Sequence, residues 1–225
     1  MKRLSICVGL VSICLAGCVG PHKPELRASD YQGTIRVACV GDSITFGAGV
    51  ENREINNYPV VLGRLLGSRF EVRNFGVSGA TLLKKGDKPY WNEPAFKQVD
   101  GFAPQAVLLM LGTNDSKPQN WEHGGAFAND LRAMLDHFAA LPSRPKIWVC
   151  LPPPAYATQW GINEATIDGQ IIPAIRQVAM EKNIPVIDMH QELSDRPEYF
   201  PDKIHPNAAG AAMMSMTVFT ALKGR

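Results

Sequence analysis

The chain has 225 residues, 45% hydrophobic and 20% charged, a composition that supports one substantial core without a second domain. Its formal charge is +2, and its 23 basic residues fall to 21 without Lys2 and Arg3, matching the 21 acidic ones. No basic stripe with interleaved aromatics is present, so nucleic acid is not an expected partner; nor is there an internal repeat or heptad run.

The first element is an export signal. Met1-Lys2-Arg3 is a basic start, Leu4 to Leu15 an apolar run, and Leu15-Ala16-Gly17-Cys18 follows. A permanent membrane helix needs about 20 apolar residues, so this shorter run fits the apolar centre of a signal peptide. The sequence L-A-G-C resembles the lipobox of bacterial lipoproteins. That resemblance implies cleavage before Cys18, a lipid on its thiol, and a location at a bacterial cell membrane, periplasmic or at the cell surface. A plain signal peptide or an uncleaved anchor is the alternative. The chain then divides into a signal (1–17), a tether (18–33) carrying Pro21 and Pro24, and a folded domain (34–225).

Five apolar, β-branched runs follow: Ile35 to Val40, Phe70 to Phe75, Ala106 to Leu111, Lys146 to Leu151 and Ile184 to Asp188. Several are continuous rather than alternating, as in parallel strands buried on both faces. Between them, Pro59 opens a helix carrying Val61, Leu62, Leu65 and Leu66, and a second helix aligns Phe127, Leu131, Met134, Leu135 and Phe138 on one face. Residues 163–182 read as partly helical, with a kink or late start at Pro173. A last helix after Pro206 carries Met213, Met216 and Phe219. Strands alternating with helices predict a three-layer α/β/α sandwich around a parallel sheet. The fold expected here places another strand between those of Cys39 and Cys150. At about 4.8 Å per strand, the two thiols are out of disulfide reach and are expected buried and free.

Ligands of such sheets bind beyond the carboxyl ends of the strands. Ser43 stands just past the first strand, Gly76 follows the second, Gly112-Thr113-Asn114-Asp115 follows the third, and 152–160 follows the fourth. Near the C-terminus, Asp202-Lys203-Ile204-His205-Pro206 sets a carboxylate three residues before a histidine. Pro206 keeps His205 extended at a helix entrance and can itself be the first helical residue. A turn from Asp202 to His205 would let the carboxylate take the Nδ1 proton and leave Nε2 free as a base.

With these blocks on one rim, the chain resembles the SGNH (GDSL-type) hydrolases. G-D-S-I-T supplies Ser43, N-F-G-V-S-G supplies Gly76, G-T-N-D supplies Asn114, and D-K-I-H supplies Asp202 and His205. The resemblance implies a flavodoxin-like five-stranded parallel sheet and cofactor-free serine esterase chemistry. It makes Ser43 the nucleophile, His205 the general base and Asp202 its orienter. The N–H groups of Ser43 and Gly76, with the Asn114 amide, would form the oxyanion hole. The chemistry has its own logic: a serine needs a base, the base an orienting group, and the tetrahedral intermediate fixed donors. Glycine at 76 would permit close backbone approach to substrate. The elbow G-x-S-x-G of the α/β-hydrolases is absent, since Thr45 stands at its last position.

Other residues read differently. Asp42 is expected to hold the turn before Ser43, and Asp115 to stabilise its own loop. Asp188 and His190 share a strand face by the period of two and are weighed as a metal pair or a rival acid–base pair, but no third ligand is evident, a strand-end Asp is often a structural acceptor, and no metal is expected. His123 and His137 read as surface or packing residues. Asp87, Tyr90 and Trp91 in the loop 84–91 are candidate substrate-wall residues, with Tyr156 and Trp160 opposite them, because aromatic faces and polar groups suit sugar rings. The loop's plainer reading is a solvated surface with one buried ring. The expected activity is hydrolysis of a short acyl ester, with an acylated glycan as substrate and the membrane met through the lipid anchor. A lysophospholipase or thioesterase, a glycan-binding lipoprotein without turnover, and a metal-dependent phosphoesterase are the alternatives.

Overall fold

The computed structural model describes residues 25–224; the expected signal, Cys18 and the first part of the expected tether lie outside them. A parallel sheet is built from β1 (Ile35–Gly41), β2 (Phe70–Gly76), β3 (Ala106–Met110), β4 (Lys146–Cys150) and β5 (Val186–Ile187). Its order is β2-β1-β3-β4-β5, the expected flavodoxin-like order. The fifth strand is shorter than expected. Ile184 donates to Ala179 O, and Asp188 leaves the sheet to cap the next helix.

The helices in chain order are α1 (Ser43–Phe46), α2 (Arg53–Asn56), α3 (Tyr58–Leu66), α4 (Pro94–Phe102), α5 (Pro118–Trp121), α6 (Phe127–Ala139), α7 (Glu164–Thr166), α8 (Ile172–Glu181), α9 (Met189–Leu193) and α10 (Ala208–Leu222). Alternate strand residues feed two cores. Ala38, Val40, Val107, Leu109 and Val149 meet α4, α6 and α8 on one face. Val37, Cys39, Leu108, Trp148 and Cys150 meet α3, α9 and α10 on the other. That double burial explains the continuous apolar runs.

Pro173 sits in the first turn of α8, directly after a π-helical turn at Ile167–Ile171. The wider turn accommodates a residue that lacks an N–H and crowds the preceding carbonyl. Pro206 is not the first helical residue: Asn207 caps α10 by accepting from Gly210 N–H at 3.0 Å. Ala211, Met214, Val218 and Leu222 line the buried face of that helix, Met213 and Phe219 pack at its margin, and Met216 is exposed. Cys39 and Cys150 are buried and unpaired on either side of β3, and burial pushes the Cys150 thiol up to about 12.

The described part of the expected tether is joined to the body. Leu26 is buried and its N–H meets Leu222 O at 2.8 Å, while Lys146 Nζ reaches Glu25 O at 2.7 Å. Arg69 further holds the carbonyls of Tyr31 and Gly33. One apolar side chain and these donors fix 25–33 where composition suggested free chain.

Candidate active site

The sheet order reverses between β1 and β3, and the rim there receives the chain ends that follow both strands. Ser43 opens α1 directly after β1. Asp42 caps that helix through Oδ1, which accepts from Ile44 N–H at 2.9 Å. The Ser43 N–H, at the first position of α1, has no acceptor among the described residues. His205 arrives from the loop before α10. Lys203, with φ +72, turns the chain so that Asp202 Oδ1 accepts from both Ile204 N–H (2.9 Å) and His205 N–H (2.7 Å).

The other Asp202 oxygen, Oδ2, lies 2.8 Å from His205 Nδ1, and His205 Nε2 lies 2.8 Å from Ser43 Oγ. A carboxylate can only accept, so Nδ1 carries the proton and Nε2 is left to accept from the serine hydroxyl. Burial works to raise the pKa of Asp202, but the N–H groups of His205 and Ile204 and the imidazole hold it below the ordinary carboxylate value. Asp202 therefore stays ionised beside the ring. The geometry is that of a nucleophile, a base and an orienting carboxylate in one line.

Asn114 is buried where β3 gives way to the rim loop, and its Nδ2 donates to Ala80 O at 3.2 Å. One amide hydrogen is used there and the second has no acceptor among the described residues. Gly76 does not match its expected role. Its N–H donates to Asn74 Oδ1 at 2.8 Å, it pairs with Gly41 in the sheet, and a Cβ there would meet Phe46 N at 2.2 Å. The close approach that requires glycine is to the backbone of α1, not to substrate. Three residues on, Gly79 has φ +82 in the turn that precedes Ala80, and its N–H has no acceptor among the described residues. The sequence does not single out Gly79, because N-F-G-V-S-G offers two glycines and the expected strand end at Phe75 leaves both outside it; β2 in fact runs through Gly76.

Asp115 accepts from Leu82 N–H (3.0 Å) and Leu83 N–H (2.7 Å), which pins the loop after β2 to the loop after β3. Burial pushes its carboxyl up to about 7, and that of Asp42 up to about 6. The second Asp42 oxygen is buried without a partner among the described residues. Both aspartates hold loops, as expected.

The proposed walls divide. Tyr90 is fully buried and donates to Phe75 O at 2.7 Å, so it is core. Trp91 is half-buried, donates to Leu82 O at 2.9 Å and packs against Phe96. Tyr156 donates to the carbonyls of Leu193 and Ser194 and packs on Phe200. These three rings anchor loops. Asp87 ties its loop to α5, accepting from Asn120 Nδ2 at 3.1 Å with Lys117 Nζ 3.7 Å away. Trp160 stands at the site, its ring centroid 5.4 Å from that of His205.

Asp188 and His190 do not share a strand. Asp188 caps α9 and pairs with Arg176, while His190 Nε2 lies 2.7 Å from Glu164 Oε1. His123 pairs with Glu122 and His137 with Asp100, as surface groups do.

A family model described as the GDSL-like lipase/acylhydrolase family matches residues 39–213. The chain belongs to this family. Over 210 residues it is 41% identical to an acetylxylan esterase of Xylanibacter ruminicola, a match covering 85% of this chain and 44% of that protein. A multidomain esterase of Ruminococcus flavefaciens is 24% identical over 245 residues, 91% of this chain and 30% of that one. This GDSL family chain thus spans less than half the length of these two relatives. Among solved structures, an inhibitor-bound aryl esterase from M. smegmatis superposes with a TM-score of 0.69 at 21% identity, covering 83% of this chain and 97% of that one. That likeness concerns the fold.

Proposed function

We propose that the protein is a carboxylic ester hydrolase that removes acetyl groups from a carbohydrate through an acyl-Ser43 intermediate. The observation that carries the reading is the continuous hydrogen-bonded line from Asp202 through His205 to Ser43 Oγ, with both links at 2.8 Å. Membership of the GDSL-like family and the 41% identity to an acetylxylan esterase support it.

In this mechanism Ser43 Oγ attacks the acyl carbon while its proton passes to His205 Nε2. The carbonyl oxygen becomes an oxyanion facing the Ser43 N–H, the second Asn114 amide hydrogen and the Gly79 N–H. Collapse breaks the ester bond, and the sugar hydroxyl leaves with the proton from Nε2. Water then attacks the acyl carbon, giving a proton to His205, and acetate departs as Ser43 is reprotonated. Asp202 holds the ring and offsets the imidazolium charge; one oxyanion donor is typically worth about 10²–10³ in rate.

Export and lipid attachment at Cys18 belong to the same proposal, supported by Leu15-Ala16-Gly17-Cys18 after the apolar run. A Cys18→Ser chain is expected to leave the membrane fraction. The reaction itself is tested with p-nitrophenyl acetate, butyrate and octanoate, using wild type and Ser43→Ala. Serine-dependent turnover that falls steeply with chain length fits the proposal, whereas a preference for octanoate redirects it to lipids or thioesters.

A further inference from the structure

Trp160 is 60% exposed, an unusual position for the largest apolar side chain. It is also held in the left-handed region at φ +52, which costs about 1–2 kcal/mol for a residue with a side chain. Burial does not compensate for that strain. The turn is nevertheless braced on both sides. Ile162 N–H closes it on Gln159 O at 2.9 Å, and Asn163 N–H reaches Ser116 Oγ at 3.0 Å, two residues past Asn114. On the other side Tyr156 N–H meets the carbonyl of Lys203, inside the Asp202–His205 turn, at 2.8 Å. A strained, exposed indole fixed from both flanks beside the base points to a ligand.

The chemistry of the margin names the ligand class. The indole is inclined 43° to the His205 ring. Gly161 lies against Lys117 and Pro118, where an added Cβ would meet both at 3.7 Å. Beyond Lys117 stands the half-exposed carboxylate of Asp87. An acyl chain would need continuous apolar wall. Phe46 is the other exposed aromatic among the described residues, and the Arg53 guanidinium covers it at 4.1 Å from the ring centroid. One apolar face on a loop packed against Lys117, itself paired with Asp87, instead matches a pyranose, whose ring C–H face is apolar and whose rim carries hydroxyls.

We propose that Trp160 is the platform for the sugar ring that carries the scissile acetyl group, with Lys117 and Asp87 meeting its hydroxyls. This rests on the deacetylase reading and adds the recognition of the alcohol side. It is tested in the full chain by the ratio of kcat/KM on acetylated xylotetraose to that on ethyl acetate, whose alcohol is too small to cover the indole. Trp160→Ala lowers the ratio by about 3- to 10-fold, as expected for loss of one aromatic contact, and Trp160→Phe restores most of it. In the Ser43→Ala protein, acetylated xylotetraose quenches tryptophan emission, and adding Trp160→Phe removes the quench. An unchanged ratio with sugar turnover intact overturns the platform and leaves the deacetylase standing. Turnover of ethyl acetate without any on the sugar overturns both the platform and the carbohydrate reading.

Discussion

The N–H of Gly76 is donated to Asn74 Oδ1 at 2.8 Å, and the Nδ2 of the same asparagine donates to Thr45 O at 2.8 Å. Asn74 thereby fastens the end of β2 to α1, the helix that begins with Ser43. Asn74 thus positions Ser43 from the neighbouring strand, and its side chain occupies the Gly76 N–H.

Two variants separate the glycines. Gly76→Ala pushes a Cβ into the Phe46 backbone at 2.2 Å, so it destabilises the fold by about 1–3 kcal/mol, the range for overpacking, read by urea denaturation. Gly79→Ala meets no such obstacle, since a Cβ there would find Lys88 at 3.7 Å, and it acts on kcat through the strained backbone. A folded Gly79→Ala with unchanged kcat on p-nitrophenyl acetate would remove Gly79 from the oxyanion hole.

Asn114→Ala removes the amide at the rim and leaves the Ala80 carbonyl without that donor. It lowers kcat by about 10²-fold or more with a smaller change in KM, because the lost contact is made in the transition state. Steady-state kinetics on p-nitrophenyl acetate decides it; unchanged kcat contradicts the assignment.

Asp202→Asn keeps an oxygen for the N–H groups of Ile204 and His205, but it can turn an NH₂ toward Nδ1. That drives the proton to Nε2, where it opposes the Ser43 hydroxyl. The chain stays folded while kcat falls by about 10⁴, as such tautomer reversals do in serine triads. A folded variant within about tenfold of wild type, read on the same ester, would deny Asp202 its role.

Stability against pH follows from the buried aspartates. Burial raises Asp42 to about 6 and Asp115 to about 7, above the unfolded value near 4. Between those limits the folded chain holds protons that the unfolded chain has released, so stability falls as pH rises through about 6 to 7. Asp202 acts oppositely: its lowered pKa gives stability present above the unfolded value and lost as pH falls through the folded one. Tm is therefore higher at pH 5 than at pH 8 and declines in stronger acid. Asp115→Asn flattens the slope between pH 5 and 8; an unaltered slope in calorimetry contradicts burial of Asp115 as its cause.

The layers were readable because the central strands β1, β3 and β4 are buried on both faces and β1 and β3 end in polar blocks, Val40 before Asp42-Ser43 and Leu109 before Asn114; the strand order followed from the family resemblance. The Asp202–His205 spacing is weak taken alone; it became legible beside G-D-S-I-T and G-T-N-D, the blocks that carry the family resemblance. Gly76 and Gly79 were not separable, since the sequence does not mark where β2 stops. Tyr90, Trp91 and Tyr156 look in sequence like Trp160; which ring is core and which is rim depends on carbonyls such as Phe75 O and Leu193 O, contributed by distant strands and helices. Leu26 shows the same effect, held by Leu222 from the far end of the chain.

The proposed deacetylation through Ser43 is tested most directly by following acetate release from acetylated xylo-oligosaccharides by the wild-type chain and by Ser43→Ala. Release is expected to continue to completion with wild type and to be lost in the variant. Release that persists in Ser43→Ala, or that is absent from wild type, would contradict that role.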